Sequence, residues 1–427
     1  MRFKRVLTRV VLPILVGIVV FTSMPVTLAE PENCDGLTIG QPNDVTEIKN
    51  DLSTPELVLQ YLAQHRRDVA LVNYSVNEGG TIDQSDPVIG LNADVPLPLA
   101  STMKIVLLAA YARQIARGIM NPDELISLAD WERNYLPGTD GNAHLNSVTD
   151  LGIATDELGF ATDPNKQITL HQMVQAMIHF SDNAAADWLI ERLGNREINK
   201  TIVEAGMKNQ EPILSPLGIF LSWNNHDQGE LTDRRLDQLK HMTEDEYASE
   251  VRRLHDIFQN QAWRFTEFQW RLQDGPSRDR KLLSLAGEAF LPRGTARDFA
   301  KVMGRVLTGT FISPRVCEIM RRHLEWPMQQ PHFPELFLAF GNKGGSFEGG
   351  ILTDANFYRP RFGDFANKPR VSVLFMHEMS FEPFDRLTQL GPSQGMQQIF
   401  EAKLALERPF AQMVRRILIQ ERDEDEQ

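Results

Sequence analysis

Ser101 and Lys104 stand three residues apart where an apolar run, Ile105–Tyr111, begins. Helical spacing would put this hydroxyl and this amine on one face, one turn apart. The approach Pro98-Leu99-Ala100 is small and apolar. A helix that is apolar almost all the way round is normally buried inside a domain. A lysine at the start of such a helix is costly unless it is paired or used. Burial lowers an amine's pKa, so Lys104 can take the Ser101 proton, and the helix N-terminus favours the negative charge that develops. A blander reading has Ser101 as an N-cap and Lys104 reaching back to solvent. Ser-x-x-Lys alone is expected about once or twice by chance in a chain of this size. Further motifs have to decide.

Two more clusters follow in order. Leu170, Met173, Val174, Met177 and Ile178 make an amphipathic stripe, opened by Thr169 with Gln172 as its capping-box partner. The stripe breaks at Ser181-Asp182-Asn183 and resumes through Ala184–Leu193 to Gly194. Polar residues at such a joint are either a cap, with Asp182 serving Ala184–Ala186, or a site. Lys343-Gly344-Gly345 lies between Phe337–Asn342 and Gly350–Tyr358, which read as strands, as does Arg370–His377. Alone, Lys343 is an ordinary edge-strand lysine.

The elements that must position these clusters come from both ends of the chain. A helix is expected from Pro55, then strands at Val69–Val76 and Pro87–Leu91, and the Ser101 helix running to about Gly118. Residues 121–166 read as a long irregular stretch. Residues 218–290 are dense in charge and carry Trp263, Phe265, Phe268 and Trp270, which predicts a peripheral helical insert held on by its aromatics. Helices are expected to start at Gly294-Thr295-Ala296-Arg297-Asp298 and run through Leu307, and then at Met396–Leu406 and Phe410–Ile419, with Pro409 breaking the last two apart. The expected fold class is α/β of the α+β type. An antiparallel sheet is built from the N- and C-terminal segments and flanked by helices, with an inserted all-helical lobe. The cleft between the two lobes is where a site belongs.

The chain has 427 residues and a net charge of −13. Residues 1–29 read as a secretory signal, with Arg2, Lys4, Arg5 and Arg9 before an apolar core at Val10–Phe21 and small residues at Thr27-Leu28-Ala29. The alternative is an uncleaved N-terminal anchor. Cleavage leaves 40 Lys and Arg against 57 Asp and Glu, a balance of −17, which argues against nucleic acid or an anionic membrane surface as partner. Residues 30–53 read as a flexible leader, and 54–427 as one domain with its insert at about 218–290. The two cysteines are Cys34 and Cys317. Export would permit them to pair, and the place of Cys34 in the leader weighs against it.

Ser101-Thr102-Met103-Lys104, Ser181-Asp182-Asn183 and Lys343-Gly344-Gly345, in that order, resemble the three motifs of the penicillin-recognising serine hydrolases, the class A β-lactamase-like family most of all. The resemblance covers roughly residues 55–420 apart from the insert. It implies a β-lactamase/transpeptidase-like fold, a periplasmic or extracellular location and no metal or cofactor. Ser101 would be the nucleophile, Lys104 its base and Ser181 a proton relay. Asn183 would bond both the lysine and the substrate amide. Lys343 would hold the substrate carboxylate and depress the lysine's pKa. Gly345 and Ser346 would line the substrate site, with the N–H groups of Ser101 and Ser346 as the oxyanion hole.

Two departures stand out. Gly344 replaces the hydroxyl residue in the middle of the third motif. The E-x-x-L-N loop, whose glutamate activates the deacylating water in class A enzymes, is also missing: Gln210–Trp223 reads QEPILSPLGIFLSW. Glu211, Asp227 and Glu230 are the substitutes within reach in sequence. The primary expectation is a monomeric exported enzyme, acylated at Ser101 by a β-lactam or related amide and slow to deacylate. The alternatives are a D,D-peptidase acting on cell-wall peptide and a non-enzymatic β-lactam sensor or partner-binding protein.

Overall fold

The computed structural model describes residues 52–273, 279–389, 391 and 393–420. The secretory segment 1–29, the leader up to residue 51 and the acidic tail 421–427 lie outside the described residues, and Cys34 with them. Among the described residues no helix is long and apolar enough to cross a membrane.

The strands are β1 (Val69–Val76), β2 (Ile82–Asp83), β3 (Ile89–Leu91), β4 (Pro96–Pro98), β5 (Leu125–Ser127), β6 (Gln167–Thr169), β7 (Arg293–Thr295), β8 (Phe337–Phe347), β9 (Ile351–Pro360) and β10 (Arg370–Met376). The main sheet is antiparallel in the order β2-β1-β10-β9-β8, with β3 also on β1. Val69 lies opposite Met376 and Ser75 opposite Arg370, so the two ends of the chain meet in the middle of the sheet. Every residue of β1 is buried, because the sheet is covered on both faces. Val69 and Leu71 point into one apolar cluster, and Ala70, Val72, Tyr74 and Val76 into the other. That alternation is the period-two rule read on a doubly covered strand.

The helices are α1 (Pro55–Gln64), α2 (Lys104–Ala116), α3 (Leu128–Glu132), α4 (Ala143–Asp150), α5 (Leu170–His179), α6 (Asn183–Leu193), α7 (Asn195–Ala205), α8 (Pro216–Trp223), α9 (Asp233–Lys240), α10 (Glu244–Phe258), α11 (Gln261–Gln273), α12 (Arg280–Phe290), α13 (Ala296–Leu307), α14 (Pro314–Leu324), α15 (Phe333–Leu336), α16 (Phe381–Thr388), α17 (Met396–Leu406) and α18 (Arg408–Arg415). α1, α17 and α18 cover one face of the sheet, and α13 covers the other. Pro409 sits in the first turn of α18, where its missing N–H costs nothing, and so separates it from α17.

α2 runs through the helical lobe between α5, α6, α7 and α14. Its residues from Lys104 to Gln114 are all buried, as the uniformly apolar run requires. The helix starts later than expected: Ala100–Met103 is a 3-10 turn, and Ser101 makes no capping bond. Residues 121–166 are also more ordered than their composition suggests, since they contain β5, α3 and α4.

The insert is helical, as expected, and runs from α8 through α12. It is not wholly peripheral. Trp223 is fully buried, and its ring meets Phe347 at the end of β8 edge-on, 5.5 Å between centroids. Of the four aromatics expected to pack the insert down, Trp263 and Phe268 do so around Phe258, whereas Phe265 is exposed.

Candidate active site

Three elements converge on Ser101. The 3-10 turn presents its hydroxyl, half-buried, and α2 opens with Lys104 fully buried beneath it. The Nζ of Lys104 lies 3.0 Å from Ser101 Oγ. It also lies 2.6 Å from Asn183 Oδ1, 2.6 Å from the Ser181 carbonyl and 3.3 Å from Ser181 Oγ. From β8, Lys343 Nζ donates to Ser181 Oγ at 3.0 Å and to the Gly344 carbonyl at 2.6 Å. The result is a continuous chain: Ser101 Oγ, Lys104 Nζ, Ser181 Oγ, Lys343 Nζ.

Burial pulls Lys104 down to about 8, although Asp182, Asp140 and Asp187 oppose the shift. Desolvation is thus the dominant cause, as expected for a lysine that opens a buried helix. Lys343 is itself driven well below the usual lysine value, first by burial and then by the Lys104 charge. An amine near 8 is in part neutral at physiological pH, which is the form that can accept a proton.

The backbone around this chain is held in uncommon conformations. Ala100 (φ 44°) and Ser181 (φ 72°) both occupy the left-handed region, next to and at two of the reacting groups. On β8, a Cβ at Gly345 would fall 2.7 Å from Ser101 N and 2.8 Å from Thr102 N. Only glycine lets the strand come that close to the nucleophile's turn. Thr353 of β9 locks the same contact: its Oγ1 donates to Leu99 O (2.9 Å) and is hydrogen-bonded to Thr102 Oγ1 (2.7 Å). Gly344 has its own reason. A Cβ there would stand 3.0 Å from the buried carboxylate of Asp354, which Asn342, Gln397 and Gln398 hold from other sides. Ser346 is exposed at the end of β8.

Asp182 points away from the reacting groups. Its Oδ1 caps α6 at Ala185 N (2.8 Å), and its Oδ2 pairs with His144 Nδ1 (2.8 Å). His144, fully buried from α4, has its Nε2 3.5 Å from Glu132 Oε1. Burial disfavours the His144 charge, yet Asp182 and Glu132 outweigh it and raise the ring to about 9. Asp182 in turn stays below its ordinary value despite burial, because His144 is charged beside it. Both readings of the Ser-Asp-Asn joint therefore hold at once: Asp182 is the cap, and Ser181 and Asn183 face the lysine.

Residues 60–217, which contain the first two motifs, match the model of the β-lactamase enzyme family. No curated protein matches the chain. Among solved structures it is similar to a β-lactamase from Sphaerobacter thermophilus, at 17% identity over 81% of this chain and 95% of that one, with a TM-score of 0.46. It is also similar to a β-lactamase from Chitinophaga pinensis, at 11% identity over 81% and 97%, with a TM-score of 0.45. An acyl-enzyme complex of a mutant PBP-A with penicillin G gives 16% over 87% and 96%, with a TM-score of 0.43.

The three carboxylates that the sequence offered as a base for deacylation are engaged elsewhere or exposed. Glu211 pairs with the backbone of Arg293, its Oε2 accepting that N–H at 2.8 Å. Asp227 accepts from Trp263 Nε1 at 2.8 Å, and Glu230 is exposed. The sequence reading missed His144, Thr353 and Asp187. Asp187 was findable: it lies four residues after Asn183, on the same face of α6. His144 and Thr353 carry no local signal, because their partners are 38 and 251 residues away.

Proposed function

We propose that the protein is an exported serine hydrolase of the β-lactamase type, monomeric and without metal or cofactor, acylated at Ser101 by a β-lactam or a related amide. The observation that carries the reading is the Ser101–Lys104–Ser181–Lys343 chain, with Lys104 brought to about 8 by burial.

In the acylation step, neutral Lys104 takes the Ser101 proton as Oγ bonds to the carbonyl carbon. The oxyanion is met by the backbone N–H of Ser101, against which Gly345 is packed, and by that of Ser346. The C–N bond breaks as Ser181 passes its proton to the leaving nitrogen and is reprotonated by Lys104. Lys343 donates to Ser181 Oγ and would face the substrate carboxylate. Asn183 holds Lys104 and faces the substrate amide.

The test is intact-mass measurement of the mature protein mixed with benzylpenicillin. An adduct of one penicillin per chain is expected, and its loss in Ser101→Ala with an unchanged circular dichroism spectrum. Equal labelling of the variant would sink the assignment. A second reading, a D,D-peptidase, has one observation in its favour: Glu211 and Asp227 are hydrogen-bonded to other partners and Glu230 is exposed. Release of D-alanine from a cell-wall pentapeptide analogue, with little β-lactam turnover, would select it.

A further inference from the structure

Hydrolysis of a Ser101 ester needs a group that takes a proton from water. Three carboxylates act on Lys104: Asp182, Asp140 and Asp187. Asp182 is committed to its cap and to His144. Asp140 receives the N–H of Asn142 on one oxygen (3.1 Å) and that of His144 on the other (2.9 Å). Asp187 differs. It is fully buried on α6, one turn beyond Asn183, and its Oδ2 accepts Leu217 N at 3.0 Å. Its Oδ1 has no hydrogen bond and faces His255 Nδ1 across an ion pair of 3.7 Å, a ring whose burial is outweighed by Asp187 and Glu191, which raise it to about 10.

Asp187 borders a small cavity with room for about one water, lined also by Asn134, Asp140, Asn183 and Leu217. Asn134 Nδ2 is buried there too without a partner, while its Oδ1 accepts from Gln259 at 2.8 Å. An acceptor and a donor, both buried and neither of them hydrogen-bonded, on one polar cavity mark the place of a bound water. Asn183 belongs to both sites. It lines this cavity and holds Lys104, which lies 3.0 Å from Ser101 Oγ.

Given acylation at Ser101, we infer that the cavity holds a water and that Asp187 is the proton acceptor of deacylation, reached through that water. An attacking water adds its hydroxide to the acyl carbon, and its proton passes through the cavity water to Asp187. Collapse of the tetrahedral intermediate breaks the bond from carbon to Oγ. The proton then returns to Oγ, and the product acid ionises into solvent.

Stopped-flow kinetics and intact mass with a chromogenic cephalosporin test this on the mature chain. Asp187→Asn keeps an acceptor for Leu217 N and removes the base. It should acylate within a few-fold of the parent and deacylate roughly 10²–10⁴ more slowly, with the adduct trapped. Hydroxylamine, a nucleophile that needs little base assistance, should then release the adduct from parent and variant at similar rates. Asn134→Leu, which removes the cavity donor and leaves Asp187, should slow deacylation about tenfold or more. Equal deacylation in parent and Asp187→Asn overturns the inference, as does a parent adduct that never hydrolyses. If Asp187→Asn does not fold, Asn134→Leu decides, and parent-like deacylation in it is the overturning result. A parent that forms no adduct at all defeats the Ser101 reading, and this inference with it.

Discussion

At the scale of single residues the chemistry turns on Lys104. Its amine is about 8 because it is buried, so acylation should rise with pH and reach half its plateau near that value. Stability has the same sign. A lysine whose folded pKa is depressed is destabilising while it is charged, below about 8. The cost is relieved between about 8 and the unfolded value of roughly 10.4, where the unfolded chain still binds the proton. Lys104→Met should therefore acylate slower by roughly 10²–10⁴ and lose the pH dependence. In urea it should be at least as stable as the parent at pH 7. A pH profile that is the same in both proteins would count against a base at this position. The hydroxyl, the amine and their shared face were readable from spacing alone. What spacing could not supply is the fourfold contact around Nζ, because Ser181 and Asn183 arrive from 77 and 79 residues away.

Among elements, α6 is the one most tightly fixed. Its N-terminus is clamped by His144 through Asp182. Asp182, Glu132 and Asp140 act on the ring, while Trp131 and Tyr135 pack against it. His144 is raised to about 9, so its stabilisation is complete below the unfolded value of roughly 6.5 and is lost as pH rises through about 9. His144→Phe leaves Asp182 charged and buried without its partner, which costs about 3–5 kcal/mol for a pair of this kind. Urea melts should show the full gap at pH 6 and a narrower one at pH 9.5; a gap that stays constant would mean that the ring is neutral throughout. The joint itself was visible in sequence as a break in an amphipathic stripe. The clamp was not, because α4 lies in a stretch whose Gly, Asp and Asn content reads as loop. Its order comes from the tertiary bond of His144 to Asp182, which no local pattern encodes.

Across the whole molecule, the topology followed from one fact of order: strands near both ends and helices between. The place of the insert did not follow. Its charge density describes the solvent side of α9 to α11 correctly. The inner side depends on Trp223 meeting Phe347 and on Leu217 meeting Asp187, pairings between distant segments that composition cannot register.

A sheet whose central pair joins Val69 to Met376 also dictates a timetable. Contacts between remote parts of a chain form late, since a long loop must close before they give any return. Trp131, Trp188 and Trp223 lie on α3, α6 and α8, elements joined by nearer contacts, whereas Lys343 must arrive from the far end to meet Ser181, 162 residues earlier. On dilution from urea, tryptophan burial should therefore return before the capacity to be labelled at Ser101. Simultaneous recovery of the two signals would mean that the sheet closes first. A chain that leaves the ribosome from its N-terminus would thus carry an unarmed serine until nearly all of it has been made.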